Sequence, residues 1–177
     1  PRDGNWAKRH ESLQNGTNCI MQLRKATPNE LDRIFARVYD GEHAGLSITD
    51  YLDSCRNSKK YQSGSWYVLT HQCLILSSLI VYRDQFGLPS GCFGIGSIAT
   101  PAELRHRGYA SELIKRIKLE LFANHACHTI YLHSDITHDF YSQLGFTKIE
   151  NSNCMVCFSQ LATQQGSAHP NIPEYFS

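Results

Sequence analysis

The run Arg105-His106-Arg107-Gly108-Tyr109-Ala110 carries the clearest chemistry in this chain. It sits between an extended, glycine-interrupted stretch ending at Thr100-Pro101 and an amphipathic segment that starts near Gly108. A basic, glycine-containing turn that opens a helix gathers unpaired N–H groups and the positive end of the helix dipole, so it can hold an anion. Glycine at 108 lets the backbone approach that anion without a Cβ in the way, and the small Ala110 keeps the loop tight. The expected donors are the N–H groups of His106, Arg107, Gly108, Tyr109, Ala110 and Ser111, with the side chain of Arg105 or Arg107 adding charge. An exposed basic helix start would show the same six residues, so the turn alone does not name its anion.

Two other patterns carry potential chemistry. Gly94-Ile95-Gly96-Ser97-Ile98-Ala99 fits the dinucleotide fingerprint Gly-x-Gly-x-x-Ala, but Thr100-Pro101 follows and forbids the helix that pattern must open. These glycines instead mark a bulged or closely approached strand. Cys154-Met155-Val156-Cys157 has redox or zinc spacing, yet on a strand residues i and i+3 point to opposite faces and the sulfurs diverge. No second pair stands at zinc spacing, the nine histidines are dispersed, and no metal site is expected.

The elements that must position these groups follow from periodicity. Ile20 to Ala26 reads as a strand, and Thr27-Pro28 with Glu30 reads as a capped helix start with Leu31, Ile34, Phe35 and Val38 as its apolar stripe. A second helix is expected from Thr49 or Asp50 to Ser58. Trp66 to Thr70 and Cys73 to Tyr82 read as strands joined by a turn at His71-Gln72, the second apolar enough to be central in a sheet. A strand over Cys92 to Thr100 precedes a long helix with Ala110, Leu113, Ile114, Ile117 and Leu121 at helical spacing. A strand over His128 to His133, a short helix over His138 to Leu144, and strands over Phe146 to Glu150 and Cys154 to Leu161 complete a β-α-α-β-β-β-α-β-α-β-β order, hence a mixed α/β sheet.

Bulk composition narrows the partners. At 177 residues, with 41% hydrophobic and 19% charged residues, one globular domain is expected. The net charge of +1 argues against broad binding of nucleic acid, and no apolar run approaches the ~20 residues that span a bilayer. Residues 1–19 form a polar lead-in without a signal-peptide core, and 162–177 read as a tail or an arm that would suit packing on a second subunit in a homodimer. Pro1 in place of an initiator Met is what a processed chain, or one domain of a longer one, would show. Seven scattered cysteines, mostly in apolar runs, fit reduced thiols and a cytoplasmic location.

Between these ends, residues 20–161 resemble the GCN5-related N-acetyltransferase (GNAT) family at three places in the right order. Arg105-x-x-Gly108-x-Ala110 is similar to its pyrophosphate-binding turn, Gln/Arg-x-x-Gly-x-Gly/Ala. Ile98-Ala99-Thr100-Pro101 looks like the strand end that leads into that turn. Phe140-Tyr141-Ser142-Gln143-Leu144-Gly145-Phe146 is similar to its Tyr-x-x-x-Gly-Phe signature.

The resemblance implies a GNAT fold, with a splayed central sheet flanked by helices and acetyl-CoA in the cleft. It implies acetyl transfer to a primary amine (a small molecule, an amino acid or a peptide) by direct attack. The backbone of Ile98, Ala99 and Thr100 would hold the pantetheine arm and polarise the carbonyl, and Arg105 to Ser111 would hold the pyrophosphate. Ser134, where the family often has Asn, would contact the cofactor, and Tyr141 would protonate the leaving thiolate. Cys92 to Thr100 lacks the glutamate many members use as general base. Asp135, Glu103, His133 and His106 are candidates that could equally be solvated or capping groups. The acceptor is expected past Glu30 to Ser58, near Tyr39, Asp40, Glu42 and His43. A non-catalytic acyl-CoA-binding module on the same fold is the alternative.

Overall fold

The first turn shows its capping chemistry directly. In the computed structural model, which describes residues 20–39, 45–134, 136–160, 172–173 and 176, Pro28–Glu30 form a 3-10 turn after strand β1 (Gln22–Lys25). The Glu30 carboxylate accepts from the Thr27 N–H at 2.9 Å and from its hydroxyl at 3.0 Å. The same carboxylate takes both prongs of Arg24 at 2.6 and 2.8 Å, tying the turn to β1. Helix α1 (Leu31–Ala36) then buries Ile34 and Phe35. Val38, expected on the same stripe, is 41% exposed because the helix has already ended.

Helix α2 (Ile48–Asn57) starts one residue before its expected limit, capped by Ser47, whose hydroxyl accepts from the Asp50 N–H. A third helix, α3 (Lys59–Ser63), departs from the expected order. Ser58 causes it: its extended backbone ends α2, and its hydroxyl accepts from the Tyr61 N–H to open α3.

The strands are β2 (Ser65–His71), β3 (Leu74–Arg83), β4 (Cys92–Ala99), β5 (Thr129–His133), β6 (Thr147–Lys148) and β7 (Cys154–Phe158). They make one sheet in the order β1-β2-β3-β4-β5-β7-β6, antiparallel throughout except for β4 beside β5. The β2–β3 turn falls on Gln72-Cys73 and not His71-Gln72, with Gln72 taking the left-handed conformation at φ 55°. β3 is central and buried from Ile75 to Tyr82.

Helices cover both faces. α4 (Tyr109–Asn124) lays Leu113, Ile114, Ile117 and Leu121 on one face, where α5 (His138–Ser142) adds Tyr141. Ile34, Phe35 and Cys55 from α1 and α2 cover the other, against Trp66, Ile80, Tyr82 and Tyr131. Cys157 belongs to the first core and Cys154 to the second, so the Cys-x-x-Cys sulfurs diverge as strand geometry requires. Two residues of the 162–177 stretch join this second core: Ile172 packs on it and Phe176 is 0% exposed within it. Among the described residues no helix is long and apolar enough to cross a membrane.

Candidate active site

β4 and β5 part company half-way along β4. Their pairing runs from Cys92–Thr129 to Ile95–Leu132 and stops there. On its other edge β4 stays paired with β3, but Ile80 faces Gly96 while Ser78 faces Ala99, so two steps on β3 oppose three on β4. The extra residue is a bulge, with Ser97 at φ 46°. Ser77 fixes the strand beyond it, its hydroxyl donating to the Ala99 carbonyl at 3.0 Å and bonding the Thr100 hydroxyl at 3.0 Å. The backbone groups of Gly96 to Ala99 that would have met β5 therefore face an open cleft. These residues are half-buried, and an extended ligand arm can pair with their backbone groups in place of water.

The strand end leads straight into the basic turn. Ala102–Leu104 form a 3-10 turn, and the Arg105 Nε donates back to the Thr100 carbonyl at 3.2 Å. His106 and Gly108 both have positive φ, 61° and 80°, and Gly108 is the N-cap of α4. A Cβ on Gly108 would meet nothing within 4 Å, so glycine is needed there for its conformation, and open space lies beside it. The amides of the first α4 turn have no intrahelical acceptor.

One cleft, with a volume of about 1360 Å³, joins these parts. Ile98, Ala99, Thr100, Arg105, His106, Gly108, Tyr109, Ala110, Ser111 and Tyr141 all line it. Arg107 is exposed and does not. The carbonyl of Tyr141 accepts from the Leu144 and Phe146 N–H groups, and its ring packs against Phe140 and Phe146. Tyr141 is therefore held by the Tyr-x-x-x-Gly-Phe segment at the cleft wall, 7% exposed.

The cleft also reaches the second face of the sheet. Its lining there is Arg37, Val38, Tyr39, Lys60, Tyr61 and Phe176. Tyr61 stacks on Phe35 at 5.5 Å and meets Trp66 edge-on, which anchors that wall in the second core. Tyr39 packs against Tyr51, and its hydroxyl donates to the Leu46 carbonyl at 2.8 Å. The gap between β4 and β5 thus connects the basic turn before α4 on one face with a wall of Arg37, Tyr39, Lys60 and Tyr61 on the other.

A family model for GNAT acetyltransferases matches residues 23–146. The chain belongs to the GNAT acetyltransferase family. Among curated proteins no sequence relative is detected. The solved structures of like fold include a GNAT acetyltransferase from Brucella melitensis in complex with acetyl-CoA, 16% identical, TM-score 0.57, matching 80% of this chain and 89% of that one. A chimera of the Vibrio cholerae spermidine N-acetyltransferase SpeG and hSSAT is 16% identical, TM-score 0.59, over 81% of this chain and 98% of its own. A protein from Bacillus halodurans is 16% identical, TM-score 0.58, over 82% and 87%. At these identities the likeness establishes the fold.

Within the GNAT frame the two departures read differently. Ser134 is buried, its hydroxyl donating to the Ile136 carbonyl at 2.8 Å and its N–H to the Asn153 carbonyl at 2.9 Å, and it does not line the cleft. Of the four base candidates, His106 and His133 line the cleft, Glu103 is exposed outside it, and Asp135 lies outside the described residues. So do Asp40, Glu42 and His43. No carboxylate lines the cleft among the described residues, and no group of three metal-ligating side chains occurs among them.

Sequence reasoning missed Arg37, Lys60, Tyr61 and Phe176. Arg37 ends α1 and the next two lie on α3, short helices whose mutual packing no local pattern encodes. Phe176 left a trace: Ile172, Pro173 and Phe176 are apolar residues inside an otherwise polar tail.

Proposed function

We propose that this protein transfers the acetyl group of acetyl-CoA to a primary amine. One observation carries the reading: the bulged, unpaired edge of β4 runs directly into a helix N-terminal anion turn within a single cleft. The two parts fit the two ends of the donor. Gly96 to Thr100 offer backbone groups to the amides of the pantetheine arm, and the first turn of α4 with Arg105 offers N–H donors and charge to the pyrophosphate. The cleft exceeds the ~300–1,000 Å³ of a typical small-molecule pocket, as a site for two reactants should.

The amine nitrogen bonds to the thioester carbon as the carbon–sulfur bond breaks. Backbone N–H groups near Ile98 to Thr100 polarise the carbonyl, and Tyr141 supplies the proton to the departing sulfur. The amine's own proton leaves to water in the open cleft. No thiol nucleophile takes part, in keeping with the strongly raised pKa of the buried Cys127 and Cys154. Unpaired thiols also suit a reducing, cytoplasmic setting.

Calorimetry with acetyl-CoA and CoA, followed by a thiol-release assay over an amine panel, tests the reading. The expected result is binding of both nucleotides and release with at least one amine, with Tyr141→Phe lowering kcat by roughly 10²–10⁴-fold. Unchanged turnover in that variant removes Tyr141 from the chemistry. The absence of carboxylates among the described cleft residues favours a second reading, a non-catalytic acyl-CoA-binding module. Tight binding without release for any amine would select it.

A further inference from the structure

The wall of the cleft on the second face contains a guanidinium with one hydrogen-bond partner among the described residues. Arg37 follows the last residue of α1, is half-buried, and lines the cleft. Its Nη1 donates to the Ile75 carbonyl at 2.9 Å, and no carboxylate lies within ion-pair distance of it among the described residues. Burial and the like charge of Arg33 hold its pKa below the usual arginine value, and Glu103 acts in the other direction. The contrast with its neighbours is plain: Arg24, Arg56 and Arg116 each hold a carboxylate at 2.7 Å or less. A guanidinium presents five N–H donors in a planar fork suited to a carboxylate or phosphate. Arg37 spends one on the protein and turns toward a cavity.

Which reactant would meet it follows from the two faces. The donor-side residues Ile98, Leu104, Tyr109, Phe140 and Tyr141 pack with the first core, under α4 and α5. Arg37 caps α1, which belongs to the second core together with Tyr61 and Phe176 on the same cleft wall. Lys60 lies on that wall too, its Nζ 6.0 Å from the centre of the Tyr61 ring. We infer that Arg37 anchors a carboxylate on the acceptor, so that the substrate is an amino acid or a like carboxylate-bearing primary amine with an apolar body lying against the part-exposed rings of Tyr39 and Tyr61. A polyamine, positive at every site, would be repelled by the Arg37 guanidinium. The inference rests on the acetyl-transfer reading above.

The test compares three amines: an aromatic α-amino acid, its amide, and the decarboxylated amine. Each is measured by thiol release from acetyl-CoA and by calorimetry on the CoA-bound protein, with wild type, Arg37→Gln and Arg37→Lys. The acid should be preferred, and Arg37→Gln should raise its KM and Kd roughly ten- to hundred-fold, the range for a charge-assisted pair. The amide and the decarboxylated amine should change little, and Arg37→Lys should recover part of the loss. Circular dichroism and melting of the variants establish that they fold, and Arg37→Lys carries the test should Arg37→Gln fail to. Three outcomes overturn the proposal: equal use of all three amines, preference for spermidine over the acid, or a variant that weakens acetyl-CoA binding while leaving acceptor preference intact. The last would assign the guanidinium to the donor's phosphates. Release with no amine would sink the transferase reading, and the calorimetric arm would still decide whether Arg37 binds the carboxylate.

Discussion

Gly94 is the socket of Phe176. A Cβ built on Gly94 would lie 2.2 Å from the Phe176 Cζ, well inside contact distance. The strand register shows why the space exists: Gly94 pairs with Tyr82 of β3 on one side and Tyr131 of β5 on the other. Two large rings thus flank a position with no side chain, and Phe176 from the chain's end fills it, its ring centre 6.2 Å from that of Tyr131. Gly94 lies just before the strands splay, and Phe176 is among the residues that line the cleft there. The missing Cβ serves a side chain of the same chain and not a ligand.

Gly94→Ala should therefore destabilise the fold by about 1–3 kcal/mol through overpacking, and Phe176→Ala by about 3 kcal/mol through the emptied slot. The two effects should not add. Once the ring is gone the alanine methyl has room, so the double variant should be more stable than the sum predicts by roughly 1 kcal/mol or more. Urea unfolding of the four proteins measures this coupling, and strict additivity would mean that Phe176 does not occupy the slot. Because Phe176 also walls the cleft, its loss should alter acceptor KM more than the affinity for acetyl-CoA.

Gly108 makes a separate prediction. Its φ of 80° is costly for any residue with a Cβ, while the space around it is open. Gly108→Val should lower stability by roughly 1–2 kcal/mol from backbone strain alone. It should lower acetyl-CoA affinity far more, because the turn is reshaped where the phosphates would approach. Calorimetry and thermal melting on one sample separate the two effects. Retained affinity would refute the phosphate assignment.

The legible parts of this molecule were those written locally. The α4 stripe, the capped start at Thr27, the central β3 and the opposed Cys154 and Cys157 all follow from periods of 3.6 or 2 and from one capping residue. The turn before α4 was legible for the same reason, as a helix start with a glycine beside it. The reading failed where short pieces meet. α3 exists because one serine ends a helix and begins another, and Val38 leaves the core because α1 runs for six residues only. The second-face wall of the cleft unites residues 37, 60, 61 and 176, so it depends on tertiary packing that no single window contains.

The thiols divide by environment. Burial pushes both Cys127 and Cys154 up to about 12 and also raises Cys55 and Cys92, so at neutral pH all four stay protonated inside the fold. Cys73 sits exposed in the β2–β3 turn. Brief alkylation of the native protein, mapped by mass spectrometry, should therefore modify Cys73 and spare Cys55, Cys92, Cys127 and Cys154 until denaturant is added. Cys73→Ser should leave acetyl transfer unchanged, because that turn is not part of the cleft lining. Rapid native labelling of Cys127 or Cys154 would mean that the core opens far more readily than its packing implies.

Acid should loosen the junction of β1 and α1 through one carboxylate. The Arg24 guanidinium, followed by the Thr27 backbone N–H, holds Glu30 at about 2, against an ordinary value near 4.5. A folded pKa below the unfolded one means the charged form stabilises the fold at neutral pH. That contribution is complete above about 4.5 and is lost as pH falls from there toward about 2. The pair lies near the surface, so solvent screening limits its worth to roughly 0.5–1 kcal/mol. Glu30→Gln should thus melt earlier than wild type at about pH 7, with the gap closing as pH drops toward about 3. Measured melting temperatures that stay equally far apart across that range would show that the loss is one of capping alone and not of charge.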